Sequence, residues 1–185
     1  MRHLLALVLC SLIATSALAA NVGESWREAR IRPQDPRLTE LLRDGMARSA
    51  TLRSLVNRIE ASNLFVYLSL SPNMKPNLAG KLTWMTRAGV FRYVRATINT
   101  EQNVDQMIAT IAHELHHAVE VLEEDSVKDQ RSLEALYKRI GRPSHWGNAA
   151  SWETVAAQET GFQVRRELLS AAERKAASAT AFAQS

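Results

Sequence analysis

An α+β fold is what this sequence predicts: a small antiparallel sheet of about three strands packed with several helices. Three observations lead there. Apolar residues recur at three- and four-residue spacing over about 37–61, 101–124 and 149–172, the period of helices with one buried face. Three segments rich in strand formers, at 64–68, 81–86 and 90–98, fall between the first and second of these. The composition, 46% apolar and 23% charged with 7 Gly and 5 Pro in 185 residues, excludes disordered, collagen-like and low-complexity chains and suits one domain.

The N-terminus reads as an export signal rather than as part of the fold. Arg2 and His3 precede an apolar run, residues 4–16, and Ala17-Leu18-Ala19 forms a small-x-small cleavage site. The run is shorter than the ~20 residues of a membrane span, so no stable insertion is expected once residues 1–19 are removed. The style is bacterial, and a periplasmic or secreted protein follows. Cys10, the only cysteine, leaves with the signal; Leu9 before it argues against a lipoprotein. The remaining chain has no thiol, so thiol catalysis and cysteine-ligated zinc are excluded and any metal must be held by histidines and carboxylates.

Residues 20–36, with Pro33 and Pro36, read as an extended lead-in, and 37–172 as a single domain. The first helix, 37–61, carries Leu38, Leu41, Leu42 and Met46, then Leu52, Leu55, Val56 and Ile59, with a possible break near Gly45. Leu64–Leu68 is a buried strand ended by Ser71-Pro72-Asn73, and Arg87-Ala88-Gly89 turns Lys81–Thr86 into Val90–Ile98 as a hairpin. Thr100 suits an N-cap for the helix 101–124. A shorter helix, 127–140, ends at Gly141-Arg142-Pro143; a loop, 144–148, leads to the last helix, 149–172; and 173–185 form a flexible tail. The formal charge, +4 at pH 7 and +3 once Arg2 is removed, is spread along the chain. Arg87, Arg92 and Arg95 read as a solvated strand face. No aromatic–basic module supports a nucleic-acid partner.

The chemistry lies in His113-Glu114-Leu115-His116-His117. Histidines four apart on a helix share one face, one turn apart, and can hold one zinc ion, with Glu114 beside them as a general base for a zinc-activated water. At about 100° per residue, Val104, Ile108, Ile111, Leu115, Ala118 and Leu122 form the core stripe, and His113 and His117 fall almost opposite it, towards a cleft. His116 points away from the pair, as a bystander or a supporting group. Glu120 shares their face but sits ~10 Å from His113, too far to share a metal. A further histidine at the metzincin spacing is absent, since positions 120 and 123 are glutamates. The third ligand therefore comes from downstream: Glu153, favoured because Ala156, Ala157 and Gly161 would let its helix approach closely, with Glu159 and His145 as alternatives. His145 and Tyr137 are the candidates to steady an oxyanion.

A H-E-x-x-H helix followed by Glu153-Thr154-Val155-Ala156 resembles the gluzincin branch of the zincin metallopeptidases. The resemblance covers roughly residues 90–160. It implies a zincin-like domain, zinc held by His113, His117 and Glu153, Glu114 as general base, a peptide or protein substrate, and an edge strand, Val90–Ile98, that holds the substrate extended. The 35 residues between His117 and Glu153 exceed the thermolysin-like spacing, so the third ligand stays open. A non-catalytic zinc-binding module and a zinc amidase acting on cell-wall peptides are the competing expectations. No serine-nucleophile elbow, phosphate loop or dinucleotide fingerprint is present.

Overall fold

The computed structural model describes residues 29–75, 77–143 and 152–183; the export signal 1–19, the start of the lead-in, the 144–148 loop and His145 lie outside them. The fold is α+β, as expected. Its chain order is β1 (Ile31–Pro33), α1 (Pro36–Arg48), α2 (Ala50–Glu60), β2 (Leu64–Ser71), β3 (Gly80–Ala88), β4 (Phe91–Asn99), α3 (Val104–Glu123), α4 (Gln130–Ile140), β5 (Arg142–Pro143), β6 (Trp152–Glu153) and α5 (Val155–Ala183). Among the described residues no helix is long and apolar enough to cross a membrane.

The sheet is mixed and four-stranded, in the order β1-β2-β4-β3, where the sequence predicts three antiparallel strands. The β3–β4 hairpin is antiparallel, with Gly80 opposite Ile98. Strand β2 instead lies parallel to β4, with Leu64 opposite Arg92 and Ser71 opposite Asn99. Alternation within a strand carries no information on the direction of its neighbour, and β4 enters between β2 and β3 by tertiary pairing. Strand β1, from the expected lead-in, is too short for any periodicity. Its Pro33 is tolerated because β1 is an edge strand.

Helices α1, α2 and α3 share one core with Leu64, Val66, Leu68, Val94, Ala96 and Ile98 of the sheet. The first predicted helix breaks at Ser49 rather than at Gly45. Ser49 leaves the helical region and its hydroxyl accepts the Leu52 N–H at 3.0 Å, which starts α2. Glu167 of α5 accepts the Ser49 hydroxyl at 2.5 Å and the Thr51 hydroxyl at 2.7 Å. Burial opposes its charge, but these bonds outweigh that and hold its carboxyl at about 2. Arg92 does not sit on a solvated face. Its guanidinium is buried and donates to the carbonyls of Val121, Leu122 and Glu124, closing the C-terminus of α3. The N-cap of α3 is Asn103, paired with Gln106 in a capping box, three residues beyond the expected Thr100. Helix α5 continues to Ala183, past residue 172, because its end is rich in alanine, the strongest helix former.

Candidate functional site

Helix α3 carries the central side chains. Ile108, Ile111, Leu115 and Ala118 are fully buried against the sheet, and this fixes the rotation of the helix. His113 and His117 lie on its other side, with ring centroids 4.8 Å apart and planes at 85°. Glu153 Oε1 comes within 3.2 Å of His113 Nε2 and 3.1 Å of His117 Nε2. One ligand atom from each of these three residues lies within 4.8 Å of the others, so His113, His117 and Glu153 form a group that could hold a metal ion.

Glu153 reaches this position from a strand, not from the helix where the sequence places it. It ends β6, which pairs with β5 through Arg142 opposite Glu153, and α5 begins only at Val155. Thr154 between them accepts the Ala157 N–H at 3.2 Å and so caps α5. The close approach of α5 to α3 uses Ala157 and Gly161, while Ala156 is exposed. A Cβ on Gly161 would lie 3.5 Å from the His113 Cβ and from the Ala109 carbonyl, ordinary contact distance. Glu159, the alternative ligand, is exposed and outside the group.

Glu114 is 3% exposed, and its Oε2 is buried without a hydrogen-bond partner among the described residues. Burial pushes its carboxyl above the ordinary value, against the pull of His113 and His117. Strand β3 begins directly over it. A Cβ at Gly80 would fall 2.6 Å from Glu114 Oε1 and 2.8 Å from Thr110 Cγ2, so only glycine lets the strand come this close. Glu114, His113, His117 and Glu153 all face a cleft of about 730 Å³.

The residue that sequence reasoning undervalues is Glu120. It is no ligand, as its distance along the helix dictates, yet its Oε2 accepts the His117 Nδ1–H at 2.7 Å in a buried contact. The Thr154 hydroxyl donates to its other oxygen at 2.6 Å. Such a carboxylate fixes the tautomer that leaves Nε2 free to ligate. The spacing i, i+3 from His117 on one helix was the available signal. Burial opposes charge on His117, but its bonds to Glu120 and Glu153 outweigh this and push it up to about 10. Burial likewise opposes the Glu153 charge, and the two histidines bring it down to about 2. Glu120→Ala is expected to weaken metal binding roughly 10- to 100-fold, read by competition with a chromophoric chelator. Unchanged affinity would remove Glu120 from this role.

Tyr137 is buried and its hydroxyl donates to the His117 carbonyl at 3.0 Å. Its ring packs edge-on to His117 at 5.2 Å. Its side chain lines the cleft, but the hydroxyl proton is engaged by the His117 carbonyl, so the expected oxyanion donor here supports the helix. His116 bonds Thr160 Oγ1 at 2.9 Å through Nδ1, tying α3 to α5, so it is a supporting group. Strand β4, expected to be the substrate-holding edge, is interior; β3 is the edge strand at the cleft. No family model, curated protein or solved structure matches this chain.

Proposed function

We propose that the protein is a zinc-dependent hydrolase, a metallopeptidase in which Glu114 is the general base. The observation that carries this reading is an orphaned oxygen, Oε2, on Glu114, which lines the same cleft as three converging ligand residues. A buried carboxylate oxygen without a partner is costly. A module that merely holds a metal has no use for one, whereas a general base needs its acceptor free.

The donor set fits zinc. Two neutral imidazole nitrogens and one carboxylate oxygen are the ligand types of catalytic zinc sites, which keep one position open. Tetrahedral ligands at about 2.0–2.1 Å from zinc stand about 3.3 Å apart. Two of the three edges, 3.2 and 3.1 Å to Glu153 Oε1, match that, and all three ligand atoms lie within 4.8 Å of one another. Zinc, when bound, supplies a water of near-neutral pKa and polarises the scissile carbonyl. With zinc held by His113, His117 and Glu153, the Glu114 carboxylate would accept a proton from the activated water and return it to the leaving amine. Glu120 holds the His117 ring, and the Thr154 backbone N–H holds Glu153.

Strand β3 gives the substrate a backbone to pair with. The Asn99 N–H donates to the Ala79 carbonyl, so by the alternation of an antiparallel ladder Gly80 and Leu82 turn their N–H and C=O away from β4. An extended peptide laid there adds a strand directly over Glu114. Reading residues 1–19 as an export signal places this activity in the periplasm or the medium. The test is the zinc content of the purified protein beside His117→Ala. About one zinc per chain, lost in the variant, is expected. A wild-type protein that takes up no zinc at neutral pH, even when zinc is added, would sink the reading.

A further inference from the structure

We infer that Arg165 makes the cleft selective for peptides carrying a carboxylate within two residues on the C-terminal side of the bond cleaved. This rests on the hydrolase reading above and adds the substrate class to it.

Helices α3 and α5 run antiparallel. Thr154 meets Glu120, Thr160 meets His116, and Gly161 meets Ala109 and His113. Arg165 lies one turn beyond Gly161, on the same face and about 6 Å further along the axis. It therefore reaches the N-terminal end of α3, where it lines the cleft together with Gln106. Among the described residues its guanidinium has no hydrogen bond, ion pair or ring contact. Several arginines are used internally, Arg48 with Asp44 and Asp105, Arg58 with Glu123 and Arg139 with Glu124. What sets Arg165 apart from other arginines unpaired among the described residues, such as Arg43 and Arg131, is its place in the cleft lining. Glu101 also lines this end of the cleft, and it forms no ion pair with Arg165. Lys81, on the edge strand, is a second cation of the lining.

The direction of the substrate follows from β3. Its start lies against Thr110 and Glu114, and its end is opposite Arg92, which holds the C-terminus of α3. Strand β3 thus runs from the N-terminal to the C-terminal end of α3. A peptide paired antiparallel, the more stable arrangement, runs the other way and carries its C-terminal residues towards Arg165. At about 3.3 Å per residue, two residues span the ~6 Å offset between the His113 level and Arg165. A guanidinium in a partly enclosed cleft recognises a carboxylate through paired N–H donors. The carboxylate can be the chain end or an acidic side chain.

The test uses Glu114→Gln protein loaded with zinc, so that peptides bind without turnover, and isothermal titration. Three probes are compared: acetyl-tetra-alanine as the free acid, the same peptide as its C-terminal amide, and acetyl-Ala-Ala-Glu-Ala amide. At least one carboxylate peptide is expected to bind about tenfold more tightly than the neutral amide, and adding Arg165→Gln is expected to erase the difference. Preference for the free acid assigns the chain end; preference for the glutamyl peptide assigns a side chain. Equal binding of all three, a preference that survives Arg165→Gln, or no measurable binding of any would overturn the inference. The zinc content of the same samples reports separately on the hydrolase reading, so the two can fail independently.

Discussion

Glu114→Gln is expected to keep zinc and fold while lowering hydrolysis by a factor of roughly 10²–10⁴, the contribution of a positioned acid–base group. The amide matches the carboxylate in shape, and Glu114 is not among the ligand atoms that converge at 3.1 and 3.2 Å. Metal content should therefore stay at the wild-type level. Stability should move in the opposite direction from activity. Burial raises the folded pKa of Glu114 above about 4.5, so the folded state binds more protons than the unfolded state above that pH. The wild-type protein then loses stability from this group as pH rises past 4.5, and the glutamine variant does not. In metal-free protein the variant should melt higher than wild type at pH 7, and the gap should narrow towards pH 4. Thermal melts at the two pH values, with hydrolysis measured in parallel, check both parts. A variant that hydrolyses at the wild-type rate would end the general-base assignment.

Why the ligand pair and the base are legible in the sequence, while their supports are not, follows from the range of the signals. His113, Glu114 and His117 lie within five residues on one helix, so helical geometry alone sets their relation. The core stripe Ile108, Ile111, Leu115 and Ala118 fixes which way they face, and all four are fully buried. Glu153 is nameable because its residue type is right and small residues follow it. Its placement on β6 is not, because a two-residue strand has no periodicity to read. Gly80 is invisible for a related reason. A glycine after a loop reads as a turn, and only the packing of β3 onto α3 reveals that a side chain there would strike Glu114 Oε1. The sheet order shares this limit, since parallel pairing of β2 with β4 is a long-range choice. Arg92 is misread because its neighbours Arg87 and Arg95 are exposed, and strand alternation alone does not show that the end of α3 lies above it.

Glu153→Ala is expected to weaken zinc binding by more than the ~100-fold upper range for outer partners, while Glu159→Ala stays within about twofold of wild type. Glu153 Oε1 is shared by both Nε2 atoms, and its place is fixed by the Thr154 N–H, which donates to it at 3.0 Å. Glu159 is exposed and contributes no atom to the group. The pH dependence adds a second readout. Without metal, His117 keeps its proton up to about pH 10, so zinc must displace that proton in order to bind. Wild-type zinc affinity should thus rise about tenfold per pH unit between pH 6.5 and 9. The same pair stabilises the metal-free fold over a defined window. Glu153, with its pKa lowered to about 2, contributes fully above 4.5 and loses its contribution as pH falls towards 2. His117 contributes fully below 6.5 and loses its contribution as pH rises through about 10. Metal-free wild type should accordingly gain most over Glu153→Ala between about pH 4.5 and 6.5, measured by thermal melts across that range. Equal zinc affinities for Glu153→Ala and wild type, or a larger loss in Glu159→Ala, would move the third ligand elsewhere.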